Sequence, residues 1–352
     1  MATELPVDVQ ILVIEWVFRS SQHKLIDCAT LCACALVCRA WTPTAQRLLF
    51  RRIQCLFLQD RMCNIRLLVS TLSIRPHLAA HIRHIQVAWP AHPPDYGNVC
   101  LRLLELCRHV EGISFSYGVN NNKALSAEMD ARMHAIQLRP ALLYVGGLDK
   151  FIGRTIVKMC PGARVLVFQA LYQHPLPPTV EALEIYAGEF LALSKPILPL
   201  LRHLCLMTPL WSDKELGEHL ISAGFLPQLQ SLQLRSLNFE SVFPPSEILE
   251  QLTQLKSLVV STLPEQHITL PASLRHVGFH DLGYRGSGVS VRAELAVDPL
   301  RALPELRLVT VTRSVEQHVR AALEGMCRDK GVDFGTYESA DCFQKPQNID
   351  WI

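Results

Sequence analysis

The chain has 352 residues, 49% of them hydrophobic and 19% charged, and its 34 Lys and Arg stand against 32 Asp and Glu for a formal net charge of +2. High apolar content with few charges excludes a dominantly disordered chain, and the length fits two ordinary domains or one small domain followed by a repeat array. A near-neutral balance without a block of like charges argues against a dedicated nucleic-acid surface or a polybasic membrane surface.

The longest apolar stretches, Val9 to Phe18 and Leu31 to Val37, fall short of a membrane-spanning helix, and the first carries Glu15. No basic residue precedes Arg19, so the start lacks the positive region of a signal peptide. The expectation is an intracellular protein, cytoplasmic, nuclear or both, with no membrane partner. The 12 cysteines are expected as reduced, partly buried thiols, because a chain of this size builds its core without disulfide staples.

Residues 1–60 read as a compact helical domain. Leu5-Pro6 opens a segment whose Val9, Val13, Ile14 and Val17 follow helical spacing. A polar link, Ser20 to Lys24, precedes a second helical segment over Leu25 to Trp41, and Pro43 restarts a third through Ala45, Leu48, Leu49 and Phe50.

Residues 61–337 carry a different signal, a short strand of the form apolar-x-x-apolar-x-apolar. It begins at Ile82, Val110, Ala163, Val180, Leu201, Leu229, Leu255, Leu274 and Leu306, with room for a degenerate copy near Leu142 to Val145. Most of the gaps lie near the roughly 20–29 residues of a leucine-rich repeat, in which each unit supplies one strand and a returning helix or extended segment. Alternation along a strand points Leu204 and Leu206 inward and His203, Cys205 and Met207 outward. One unit buries too little alone, and stacked parallel strands close the core between neighbours. A non-repeating α/β domain is the alternative.

Return elements are expected as a helix within Leu148 to Cys160, another within Asp213 to Ala223 stopped by Gly224, and extended chain over Leu263 to Pro271. Ser314 and Gln317 match a capping box for a helix ended by Gly331, followed by a strand around Val332 to Phe334. The tail, residues 338–352, is either loosely ordered or docked through Phe343 and Trp351.

The N-terminal residues carry a family resemblance. Leu5-Pro6-Val7-Asp8-Val9, then Val13-Ile14 and Val17, then Leu36-Val37-Cys38-Arg39-Ala40-Trp41, and last Leu48-Leu49-Phe50-Arg51-Arg52-Ile53, together resemble an F-box. An F-box ahead of irregular leucine-rich repeats resembles the layout of the expanded F-box families of mushroom-forming (basidiomycete) fungi. The resemblance implies an α/β chain: a three-helix F-box, then an irregular leucine-rich-repeat solenoid with parallel strands on one face and helices or extended returns on the other. It also implies a non-enzymatic substrate-recognition subunit of a Skp/cullin/F-box ubiquitin ligase, in which the F-box binds a Skp-type adaptor, and through it a cullin-RING ligase, while the repeats hold a protein substrate for degradation. By position, Leu5, Pro6, Val9, Val13, Val17, Leu36, Val37 and Trp41 would contact or support the adaptor. The link from Arg19 to Ala29 is longer than in compact F-boxes. The alternative is a leucine-rich interaction scaffold, adaptor-binding or free, without a ligase role.

For the substrate, the outward strand positions Gln169, Tyr186, Met207, Arg235, Ser261 and His280 are expected as neighbours on a concave surface. Metal and cofactor chemistry is not expected. Cys28 and Cys32 share one helix face and Cys34 and Cys38 another, so four sulfurs do not converge on zinc, and His77, His81 and His84 lack the Glu of a helical zinc motif. Gly283 to Gly288 lacks full dinucleotide spacing, and no phosphate-binding loop or nucleophile elbow occurs.

Overall fold

The structure is a computed structural model and describes residues 6–20, 28–37, 39–55, 62–89, 94–117, 127–146, 150–168, 176–185, 198–208, 218, 220–236, 243–261, 263–264, 267–279 and 293–337. The chain divides into two compact units, Met1–Ala163 and Arg164–Ile352.

The first unit begins with three helices, α1 (Val7–Ser20), α2 (Cys28–Val37) and α3 (Thr42–Arg51). Pro6 stands just ahead of α1, where its missing N–H costs nothing, and its carbonyl accepts the Val9 N–H. Arg39 and Ala40 lie in a turn, where the second helix was expected to run on to Trp41, and Trp41 sits at the start of α3 with its carbonyl accepting the Ala45 N–H at 3.0 Å. Strand β1 (Arg52–Cys55) follows α3 directly. Then come α4 (Met62–Ile74), α5 (Pro76–Ala79), β2 (His84–Trp89), α6 (Pro94–Leu106), β3 (Gly112–Tyr117), α7 (Ala127–Ala135), β4 (Leu142–Val145) and α8 (Lys150–Met159). Strands β1 to β3 pair in parallel in chain order, and β4 extends them alongside β3.

The second unit holds β5 (Val165–Phe168), β6 (Ala182–Ile185), β7 (His203–Thr208), a 3₁₀ turn at Leu226–Gln228, β8 (Ser231–Ser236), α9 (Ser246–Gln251), β9 (Ser257–Val260), β10 (His276–Phe279), α10 (Ala293–Arg301), β11 (Leu308–Thr312), α11 (Gln317–Lys330) and β12 (Asp333–Tyr337). Its eight strands are parallel and pair in chain order. Each unit is therefore an α/β stack of the solenoid-like kind that the repeat predicts.

Register explains the spacing. Every copy of the motif yields a strand that starts at the motif's third residue, and its two later apolar positions form inward columns. In the second unit one column runs Leu166, Leu183, Leu204, Leu232, Leu258, Val277 and Val309, each no more than 2% exposed. Burying each side chain contributes about 1.5–3 kcal/mol, so the stack is held mainly by these columns. The motif's first residue, such as Leu201, Leu229, Leu255 or Leu274, is also fully buried.

Several details differ from the sequence reading. Residues 52–55 form a strand, where the end of a helical domain was expected. The helix before β12 starts at Gln317 with Glu316 at its cap and no side-chain cap bond, while Ser314 Oγ lies 2.8 Å from Thr312 Oγ1 instead of capping. Its other end is as expected, with Gly331 at φ 70°, a left-handed conformation that glycine adopts without strain. The return before β8 is helical through Ala223 and stops at Gly224, also left-handed at φ 71°. Residues 338–352, with Phe343 and Trp351, lie outside the described residues.

Candidate functional site

Two surfaces come forward, the outer face of the N-terminal helices and the sheet face of the second unit. The helical surface follows from how α1 divides its apolar residues. Ile14 points inward and is 1% exposed, packed with Leu31 of α2 and Leu48 of α3, and Trp41 and Leu49 close over them. Two polar ties fix the arrangement: the Arg47 guanidinium reaches the Glu15 carboxylate at 2.9 Å, and the Thr42 hydroxyl donates to the Ala35 carbonyl at 2.8 Å.

Four further apolar residues of α1 stand at i, i+3, i+4 and i+7, which is one helix face. They remain in solvent: Val9 is 39% exposed, Leu12 63%, Val13 44% and Trp16 68%. At the end of α2, Leu36 and Val37 are 87% and 63% exposed. Residues scattered singly need no explanation, but a stripe of four on one helix is a contiguous exposed apolar surface, the kind of feature found at interaction sites.

Of the residues proposed from the sequence for this surface, Pro6, Val9, Val13, Leu36 and Val37 are exposed. Leu5 and the side chain of Val17 lie outside the described residues. Trp41 is half-buried against the small core, so it supports the helices that carry the face. Leu12 and Trp16 were missed by the sequence reading, although the i+3 and i+7 steps from Val9 point straight at them.

The sheet face of the second unit is less open than alternation predicts. Met207 and Arg235 are register partners on β7 and β8, and Ser261 follows Val260, the partner of Leu234. These three outward positions are 2%, 9% and 5% exposed, so they are buried where exposed neighbours were expected. The physical reason is that parallel strands are covered on both faces, so alternation there does not separate core from solvent. Gln169, Tyr186 and His280 lie outside the described residues.

Charge on this face is small and held. With the Gln233 carbonyl oxygen turned toward Arg235, the guanidinium donates to it at 2.7 Å and 2.5 Å. Burial pushes the Cys205 thiol far up, Glu184 adds to that, and Arg235 opposes it, so the sulfur stays protonated. His276 uses both ring nitrogens: Nδ1 lies 2.9 Å from Ser257 Oγ and Nε2 lies 2.9 Å from Thr310 Oγ1. Burial lowers its pKa from 6.5 to about 4, which keeps the ring neutral. His203 is likewise lowered to about 4, first by burial and then by the cation of Arg202. A neutral histidine bridging two hydroxyls ties strands β9, β10 and β11 together.

Among the described residues no group of three or more His, Cys, Asp or Glu is placed to hold a metal ion. No described helix is long and apolar enough to cross a membrane. The buried thiols Cys55 and Cys160 are both pushed up to about 12 by burial and are poor nucleophiles.

No protein-family model matches the chain. No curated protein matches it in sequence. Among solved structures, the chain is similar to a protein from Bacteroides fragilis seen in a crystal structure, with 12% identity over 81% of this chain and 73% of that one and a TM-score of 0.39.

Proposed function

We propose that this chain is the non-catalytic substrate-recognition subunit of a Skp/cullin/F-box ubiquitin ligase, with α1 to α3 acting as the F-box that docks on a Skp-type adaptor. The observation that carries this reading is the stripe Val9, Leu12, Val13 and Trp16, left exposed on a helix whose opposite side already supplies the small core through Ile14. An apolar helix face of this kind fits a groove between partner helices, with Trp16 as the anchor and Leu36 and Val37 as further apolar contacts. The Leu-Pro start, the Val-Cys-Arg-x-Trp run and the three-helix order support it from the sequence side.

The mechanism is positional. The repeat units hold a protein substrate while other subunits supply the activated ubiquitin, and the tether raises the effective concentration of the substrate's lysines near the conjugating enzyme.

The test is co-expression of the full chain with a Skp-type adaptor, followed by size-exclusion chromatography. A one-to-one complex is expected, and Leu12→Asp/Trp16→Asp should abolish it while the variant elutes as a folded monomer. Elution of the intact, folded chain apart from the adaptor would refute the assignment.

A further inference from the structure

The motif's second residue stands between the buried first position and the strand. In the second unit these residues are Arg164, Glu181, Arg202, Gln230, Lys256, Arg275 and Arg307, and the backbone joins them into one row. The N–H groups of Arg202, Gln230, Lys256, Arg275 and Arg307 donate in turn to the carbonyls of Glu181, Arg202, Gln230, Lys256 and Arg275 at 2.7–2.9 Å. Arg202, Lys256, Arg275 and Arg307 are exposed.

A purely structural row would alternate sign, because like charges directly opposite on adjacent strands destabilise the pair. The chain does this elsewhere at the same motif position. Arg83 pairs with Glu111 at 3.4 Å in the first unit, and Arg164 meets Glu181 at 2.9 Å and 3.0 Å at the start of this row. From β9 to β11 the pattern is broken: Lys256, Arg275 and Arg307 are three cations, each directly preceding one of three consecutive strands. Arg275 is matched by Glu305 at 2.9 Å. Lys256 and Arg307 form no ion pair with an acidic side chain among the described residues, and Arg202 stands beside Glu181, whose pKa it lowers, while that carboxylate is held by Arg164. His203 senses these charges: beyond the effect of burial, Arg202 and Lys256 lower its pKa and Glu181 opposes them.

We propose that this row is a binding site for an acidic, extended peptide segment of a protein partner, with Arg202, Lys256 and Arg307 as the charge contacts and Gln230 as a hydrogen-bonding one. At about 4.8 Å per strand the four steps from Arg202 to Arg307 span about 19 Å, the reach of about six extended residues. An extended peptide crossing the strand ends brings a carboxylate near a cation every one or two residues. A polynucleotide fits less well, because the row contains no aromatic side chain on which a base could stack. The site is built from other residues than the helical face, and it stands whether or not that face binds an adaptor.

The test uses the full chain without any adaptor, so its failure is distinct from failure of the ligase reading. Fluorescence anisotropy would follow binding of a labelled peptide of about ten residues alternating Asp and Ser, with an Asn and Ser peptide and an oligo-dT of similar length as comparisons. The acidic peptide should bind, weaken as salt is raised, and lose about tenfold or more in affinity in the Arg202→Gln/Lys256→Gln/Arg307→Gln variant, the change expected from removing three exposed ion pairs. These side chains are on the surface, and circular dichroism of the variant should match the parent. Three results would overturn the proposal: equal binding of the Asn and Ser peptide, unchanged affinity in the folded triple variant, or tighter binding of the oligo-dT with the same sensitivity to the substitutions.

Discussion

Lowering the pH should loosen the second unit through His276, and the size of the effect follows from its surroundings. The ring lies between Ser257 and Thr310, with both nitrogens in hydrogen bonds to hydroxyls, and burial lowers its pKa from 6.5 to about 4. The unfolded chain therefore takes up a proton as the pH falls below 6.5 while the folded one refuses it until about 4. The stabilisation is complete above the unfolded value and is withdrawn as the pH falls through this window. At 1.36 kcal/mol per unit the full loss is about 3 kcal/mol, of which about 2 kcal/mol is gone by about pH 5. Urea denaturation at about pH 7 and pH 5 measures it, with His276→Asn and His276→Gln as neutral replacements whose difference from the parent removes the shared contribution of the carboxylates. The parent should lose about 2 kcal/mol more than the variants over that range. Equal slopes in parent and variants would refute the reasoning.

Further outcomes are expected from packing and backbone. Leu232→Ala, at a side chain with no exposure in the inward column, should cost about 2–5 kcal/mol by denaturant unfolding, whereas Leu36→Ala, at 87% exposure, should stay within about 0.5 kcal/mol. In α11 and its cap, two glycines should respond with opposite sign in a thermal melt. Gly325→Ala has open space for its Cβ and should stabilise by about 1 kcal/mol, while Gly331→Ala, at φ 70°, should destabilise by about 1 kcal/mol. Thiol labelling of the native chain, mapped by mass spectrometry, should modify the exposed Cys32 and spare the buried Cys160 until the chain is unfolded.

Much of the stack was legible because its period is physical. An apolar residue, two spacers and an alternating apolar pair describe one strand entering a shared core, and every copy of that pattern became a strand, including the degenerate one at Leu142 to Val145. Strand β1 obeys the same rule through Phe50, Ile53 and Cys55, but its residues also complete a helical motif, and the helical reading hid it. The helical face was legible in part. Val9 and Val13 mark the stripe, yet the sequence alone does not say which of two helix-borne tryptophans faces the core, and it is Trp41 that turns in and Trp16 that stays out. The sheet face was misjudged at Met207, Arg235 and Ser261 because alternation identifies two faces without saying that both are covered. The cation row was in plain sight at the motif's second position, but only the pairing of neighbouring strands brings those residues side by side.

The most direct measurement of the central claim is a calorimetric titration of a Skp-type adaptor with the full chain and with Trp16→Ala. The exposed stripe as docking face predicts saturable one-to-one binding that weakens by about 2 kcal/mol or more, roughly 30-fold, when the 68% exposed Trp16 is truncated, with folding unchanged. No binding by the folded parent, or binding indifferent to Trp16, would contradict it.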